Sequence, residues 1–399
     1  MRQFITSTNS KLTTSLMVYC LIVSTLQGAR VLWQKEYEIG GELSYSPGAV
    51  TFDKIDNKLL IIGTSFFPKG YSEDKIRFWE IDLNGNMTKD EILGDVPEKF
   101  KTEAHTASRF IKGLSISNSR RIKAMGNFGG LGISLIDMNR QGTDRTVKSV
   151  EEIGVAYDDN LILKTVDLPN NSYLFIGKNK HDDGLAIKID SSGNKLWEQT
   201  YDKGQVEYLS DGVAIGNNGD FVIVGGSVKP DGPMSVGKDS SIWLLKCDPQ
   251  GNVVSEKVFL GDPFVRKMPQ ICQLSTGEII VAYNKIQTDS LAFKALSFNF
   301  EEFWDNQASV DEISVYDFKI KPVSEKGFIV VLGFSSTGLG VYEYNKDGNI
   351  TSKFSWEKVV RGGNFLLETS GDKAFVILQT RAQDEKRINN LKVIAFQID

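Results

Sequence analysis

The 399-residue sequence predicts an all-β chain folded as a β-propeller, a closed ring of four-stranded antiparallel sheets. Three observations carry that prediction. An apolar strand recurs about every 50 residues, and most repeats run from an Asp or Asn through a glycine turn into a further strand. No stretch carries the 3.6-residue periodicity of an amphipathic helix.

The recurring strand reads LLIIG from Leu59, IKAMG from Ile122, YLFIG from Tyr173 and FVIVG from Phe221, then IIVAY from Ile279, FIVVL from Phe328 and AFVIL from Ala374. Successive starts lie 63, 51, 48, 58, 49 and 46 residues apart, which makes seven units. Six or eight blades are the alternatives, because the second unit, residues 88 to 146, is the least regular. A strand apolar at every position needs burial on both faces, which neighbouring blades provide.

A strand ending in an acid or amide follows in each unit: FWEID (78–82), ISLID (133–137), AIKID (186–190), WLLKCD (243–248), ALSFN (295–299), VYEYN (341–345) and VIAFQID (393–399). Five of these run into a glycine turn, such as LNGN after Asp82 and SSGN after Asp190. An Asp or Asn that folds back on its own backbone, with Gly at positive φ, is what a tight hairpin needs. The outgoing strand carries Trp197, Trp304 or Trp356, expected to pack between sheets rather than to stack on a sugar. A further strand precedes the apolar one, as in GVAIG from Gly212 and ICQLS from Ile271.

The last unit reaches Asp399 after only three strands, while VLWQKEY (Val31 to Tyr37) matches the outgoing strand KLWEQTY (Lys195 to Tyr201) and has no unit before it. Val31 to Tyr37 is therefore predicted to supply the fourth strand of the seventh blade, closing the ring and removing an open edge.

The pattern of apolar strand, Asp-x-x-Gly-Asn, Trp-x-x-x-Tyr, then Asp-Gly and a strand ending Gly-Gly-Ser resembles secreted bacterial β-propellers with quinoprotein-like repeats, over residues 31 to 399. That resemblance implies a blade architecture. Catalytic quinoprotein dehydrogenases of this architecture use an adjacent cysteine pair, a stacking Trp and a calcium site, and no residue here matches those contacts. No cofactor is assigned.

Residues 1–29 read as a signal peptide: Arg2 and Lys11 precede the uncharged run Leu12 to Leu26, and Gly28 and Ala29 follow. A retained anchor is the competing reading, against which the run is short. Residues 30–399 form a single propeller domain, and the expected location is secreted or periplasmic. No stable membrane insertion is expected after cleavage. Net charge is -5, and becomes -7 without Arg2 and Lys11, the only charges in residues 1–29. An acidic chain without a basic run argues against nucleic acid as a partner. Cys247 and Cys272 permit one disulfide but no disulfide framework.

Only His105 and His181 are available, so no multi-histidine metal site exists and no metal ligands are assigned. GNFGGLG (126–132) leads into a strand, not a helix, and is a glycine turn rather than a dinucleotide fingerprint. In a propeller, the connections between blades and the loops between second and third strands open on one face around the channel. That face collects Tyr208 and Asp211 from one connection, Arg266 and Lys267 from the next, and Arg361 from the last. His181 and Asp182 in the HDDG turn, and Lys238 and Asp239 in a longer loop, come from the other class. Each is equally at home in a solvated loop tip. The expected function is a non-catalytic binding or interaction module for a protein or for a polar or glycan ligand. The alternative is a glycan-acting hydrolase or lyase with acids gathered at the channel mouth from separate blades. A calcium-stabilised surface protein is a third reading.

Overall fold

The computed structural model describes residues 30–38, 44–66, 75–95, 110–117, 119–127, 133–151, 161–228, 240–260, 268–285, 290–307, 315–323, 327–334, 338–356, 365–381 and 389–398. Strand β1 (Arg30–Tyr37) precedes the first blade. Blade 1 is β2 (Ser44–Asp53), β3 (Lys58–Phe66), β4 (Lys75–Asp82) and β5 (Met87–Asp95). Blade 2 is β6 (Phe110–Ile116), β7 (Ile122–Asn127), β8 (Ile133–Met138) and β9 (Arg145–Glu151). Blade 3 is β10 (Leu161–Leu168), β11 (Ser172–Lys178), β12 (Gly184–Ile189) and β13 (Lys195–Tyr201). Blade 4 is β14 (Val206–Ile215), β15 (Asp220–Val228), β16 (Ser241–Cys247) and β17 (Val253–Leu260). Blade 5 is β18 (Gln270–Gln273), β19 (Ile279–Asn284), β20 (Leu291–Leu296) and β21 (Glu302–Gln307). Blade 6 is β22 (Val315–Val323), β23 (Gly327–Phe334), β24 (Leu339–Asn345) and β25 (Ile350–Trp356). Blade 7 is β26 (Phe365–Ser370), β27 (Lys373–Arg381), β28 (Asn389–Gln397) and, as its outer strand, β1.

Seven antiparallel four-stranded sheets thus make the ring, and the predicted closure is present. β1 runs antiparallel to β28 with Trp33 opposite Ala395 and Tyr37 opposite Leu391. The first strands of successive blades pack against one another, and β26 packs against β2 to complete the circle.

The core explains why the second strands are apolar throughout. Along β15, Val222 and Val224 point into a cluster with blade 5, whereas Phe221 and Ile223 point into a cluster with blade 3. In β3, Leu60 and Ile62 serve the interface with blade 2, and Leu59 and Ile61 the interface with blade 7. A period of two directs successive side chains to opposite faces, and here each face meets another sheet. Seven such clusters occur among the described residues, one for each junction between blades.

The glycine turns repeat nearly atom for atom. Asp190 Oδ1 accepts the amides of Ser192 and Asn194 at 2.8 Å each, its Oδ2 accepts Asn194 Nδ2 at 2.7 Å, and its carbonyl accepts the amide of Gly193 at 3.0 Å. Asp82 and Asp248 do the same through Asn86 and Asn252. Each turn also receives the outer strand of the blade before it. Trp197 donates through Nε1 to Pro249 O at 2.9 Å, and Trp304 to Lys346 O at 2.9 Å. The tryptophans therefore clamp blade to blade. In blade 4, Lys257 takes that role, reaching Phe300 O at 2.7 Å.

The third strand of blade 5 ends furthest from expectation. The strand expected at Ala295 to Asn299 ends at Leu296, because Ser297 opens a turn, its Oγ accepting the amides of Asn299 (3.2 Å) and Glu301 (3.1 Å). Phe300 fills the glycine position at φ 63°, with its ring buried in the junction of blades 4 and 5. Burial of an aromatic ring offsets the left-handed backbone that a glycine would take without strain.

Cys247 and Cys272 are both buried and free. Among the described residues no helix is long and apolar enough to cross a membrane. Residues 1–29, the centre of the 126–132 glycine stretch and the Trp356 side chain lie outside the described set.

Candidate functional site

The innermost strands bring side chains from distant blades within electrostatic reach, which only a central channel allows. Lys112 of blade 2 feels Lys319 of blade 6 as well as Lys164 of blade 3. Lys321 of blade 6 feels Asp211 of blade 4, and it acts on Asp167 of blade 3. Asp167 is exposed although it lies on an innermost strand, and the Lys164 side chain is 39% exposed, so the ring encloses open space here.

Irregular backbone aims these groups. Five inner strands carry a bulge near their start: between Pro47 and Ala49, Ile111 and Gly113, Ile162 and Lys164, Leu209 and Asp211, and Val315 and Asp317. A bulge adds an unpaired residue and re-aims its neighbours. Lys112 is itself such an added residue, while Lys164, Asp211 and Asp317 each follow one directly.

Much of the channel's charge is committed to the ring itself. Lys164 Nζ lies 3.3 Å from Asp211 Oδ1 and joins blades 3 and 4, and Lys321 Nζ lies 3.2 Å from Glu368 Oε2 and joins blades 6 and 7. Asp211 Oδ2 also accepts the amide of Ile271 at 3.2 Å, linking blade 4 to blade 5. Gln270 Nε2 donates to Phe318 O at 2.6 Å, and Gln270 Oε1 accepts the amide of Ile320 at 3.2 Å, so blade 5 is tied to blade 6. Lys319 pairs within its own strand with Asp317 at 3.1 Å.

Two groups are poised differently. Burial, then the like charges of Lys319 and Lys164, push the Lys112 ammonium down to about 8, against the attraction of Asp317. Enclosure within the ring raises the Asp167 carboxyl to about 6; Glu368 adds to this, while the Ser115 hydroxyl, Lys321 and Lys164 act the other way. Lys112 is near the start of β6 and Asp167 near the end of β10, so the cationic group and the carboxyl sit at different depths of one channel.

Of the residues expected on this face, Tyr208 and Asp211 belong to β14 and not to a connection, because that strand already begins at Val206 and its bulge lengthens it. Tyr208 is buried, and Asp211 faces the channel groups just described. His181 and Asp182 sit in the turn from Asn179 to Asp183 between β11 and β12, where Asp182 has φ 65° and pairs with Lys178. The amide of Glu207 donates to Asp182 O at 2.7 Å and pins this turn to the start of β14. Arg266, Lys267, Lys238, Asp239 and Arg361 lie outside the described residues.

Reading the loops missed Lys112, Lys164, Asp167, Lys319, Lys321 and Glu368. Their signal was a charged alternation inside first strands, as in FKIKPV from Phe318, where a half-buried strand of a propeller can point only into the channel. Also unforeseen was the convergence of Asp183, Asp202 and Glu207, whose carboxylate oxygens lie within 4.8 Å of one another where blade 3 passes to blade 4.

No protein-family model matches the chain, and no curated protein matches it. Solved structures do. The polysaccharide lyase Uly1 superposes with a TM-score of 0.55 at 9% identity, covering 89% of this chain and 90% of the lyase. The endosialidase of phage phi92 gives 0.47 at 8% identity over 92% and 69% of the two chains. A gluconolactonase from Xanthomonas campestris gives 0.38 at 9% identity over 95% and 100%. At these identities the likeness to the lyase is one of fold.

Proposed function

We propose that this chain is a secreted or periplasmic binding module that takes a small acidic ligand into its channel, with a sugar acid as the chemical class. The observation that carries this reading is the meeting of Lys112, Lys164 and Lys319 from blades 2, 3 and 6, whose like charges add to burial in depressing the Lys112 ammonium. An anion among these lysines relieves their mutual repulsion, and within the enclosed channel it is poorly screened. Deeper along the same channel Asp167 and the Ser115 hydroxyl offer partners for hydroxyl groups, so a ligand negative at one end and hydroxylated elsewhere finds both needs met.

The test is calorimetric titration with galacturonate and glucuronate against galactose and glucose. The uronates are expected to bind, more weakly at high salt and above pH 8 as Lys112 loses its proton, and Lys112→Met is expected to abolish binding. Equal binding of the neutral sugars, or an unaffected Lys112→Met variant, would sink the proposal.

A catalytic reading is favoured by one observation: Asp167, raised to about 6 and so able to hold a proton in mildly acidic solution, lies in electrostatic reach of Glu368, and glycan hydrolysis uses a pair of carboxyl groups. Incubation with polygalacturonate checks it, through new reducing ends or the ultraviolet absorbance of an unsaturated product. Loss of either signal in Asp167→Asn supports this second reading, and no signal from the unmodified chain excludes it for that substrate.

A further inference from the structure

Away from the channel, on the face that carries the blade connections, the chain gathers three carboxylates that no ion pair explains. Asp183 closes the β11–β12 turn, Asp202 follows β13, and Glu207 is the second residue of β14, yet one oxygen from each lies within 4.8 Å of the others. Glu207 has no exposed surface. Its Oε1 accepts the Gln205 amide at 3.0 Å and the Ser227 hydroxyl at 3.2 Å, and the Lys203 backbone amide also bears on the carboxylate, yet Oε2 stays enclosed without a well-formed hydrogen bond.

Two lysines close in the chain are engaged elsewhere. Lys178 pairs with Asp182, and Lys203 turns away to Glu256 at 2.7 Å and over the Trp243 ring. Among the described residues no lysine or arginine forms a salt bridge with Asp183, Asp202 or Glu207. A fully enclosed carboxylate that is short of donors and stands beside two more acids costs free energy that a bound cation recovers.

We propose that Asp183, Asp202 and Glu207 bind one calcium ion at the passage from blade 3 to blade 4. Carboxylate oxygens alone, with no imidazole or thiolate, select a hard cation. The donors come from two loops and a strand end, not from a rigid octahedral cage. Calcium, which accepts six to eight oxygens in adaptable geometry and completes its shell with carbonyls and water, suits that arrangement better than magnesium. The ion would lock the HDDG turn onto β14, reinforcing the bond from the Glu207 amide to Asp182 O. This site is independent of the channel reading and does not require it.

The experiment uses the full chain, stripped with EDTA and titrated with calcium and separately with magnesium by calorimetry, alongside thermal unfolding. One calcium per chain is expected, with a rise in melting temperature of about 3–8 °C at saturation. Losing a direct ligand should cost more than the loss of a group that merely orients one, so Asp202→Asn is expected to weaken binding more than about tenfold. Asp202 is exposed, so this variant keeps the fold. Glu207→Gln is expected to abolish binding while leaving the ion-free protein at least as stable as the unmodified chain, since it removes an enclosed charge. Absence of stoichiometric binding, a calcium affinity that Asp202→Asn leaves unchanged, or tighter binding of magnesium would each overturn the assignment.

Discussion

The indole of Trp33 donates through Nε1 to the carbonyl of Leu83 at 2.7 Å, across the seam where the two ends of the chain meet. Trp33 belongs to blade 7 and Leu83 to the β4–β5 turn of blade 1, so the junction that closes the ring uses the same clamp as the junctions of blades 3 with 4 and 5 with 6. Tyr37 Oη completes it by donating to Gly85 O at 2.8 Å, as Tyr201 does to Gly251 O at 2.9 Å. Trp33→Ala removes ring and donor together, leaving a cavity beside Phe375. A loss of about 3 kcal/mol is expected in urea unfolding, and deletion of residues 30–37, which bares the edge of β28, is expected to leave an aggregating chain.

The turn glycines provide a second check on the clamp. Gly251 has φ 85°, and a Cβ placed there would lie 2.9 Å from Gln199 Cγ and 3.0 Å from the Trp197 ring. Gly204 has a similar φ of 78° but nothing within 4 Å. Gly204→Ala should therefore cost only the left-handed backbone, about 1 kcal/mol, whereas Gly251→Ala should cost about 2–4 kcal/mol because the indole must also move. Equal losses in thermal unfolding would show that the ring does not rest on the turn.

How the fold could be read from residues, and the site could not, follows from the range of the interactions involved. Asp190 through Gly193 to Asn194 is a local motif whose hydrogen bonds span four residues, and FVIVG declares burial on both faces by itself. Trp33 even betrayed the closure, because its strand matches that of Trp197. The channel depends instead on which residues of seven separate strands face inward at one depth. The bulge that inserts Lys112 has no sequence mark beyond Gly113, and Asp211 looks like a turn residue before Gly212 although it lies within β14. The clustering of Asp183, Asp202 and Glu207 likewise joins two loops through a backbone bond that no spacing announces.

On the opposite face from the blade connections, Asp53 is 3% exposed and paired with both Arg140 and Arg120, the latter at 3.1 Å. Its Oδ1 also accepts the amide of Ile55 at 3.0 Å. Arg120 itself sits at φ 63° to reach this acid. Asp53→Ala leaves Arg120 facing Asp56, and Arg140 facing Asp56 and, at 3.5 Å, Glu80, and should cost about 3 kcal/mol, since breaking an enclosed pair strands its partner. A change below 1 kcal/mol in the urea midpoint analysis would mean that Asp56 and Glu80 take over the pairing.

The channel carboxyl makes a signed prediction in pH. Asp167 titrates at about 6 in the folded chain, against about 4 when unfolded. Between those values the folded state holds the proton more tightly, so this group's contribution to stability falls as pH rises from about 4 to about 6 and then stays at its lower level. Asp82, Asp190 and Asp248 slope the other way. Their carboxyls lie below the usual range, held there in Asp248 first by the Asn252 side chain, and their stabilisation is lost as pH falls through those low values. Taking the difference between Asp167→Asn and the unmodified chain cancels these turns and isolates the channel. The variant is expected to melt about 1–3 °C higher at pH 7.5, with the advantage shrinking to nothing by pH 4. A difference constant across that range would mean that Asp167 stays ionised, and the catalytic reading, which needs its proton, would fall with it.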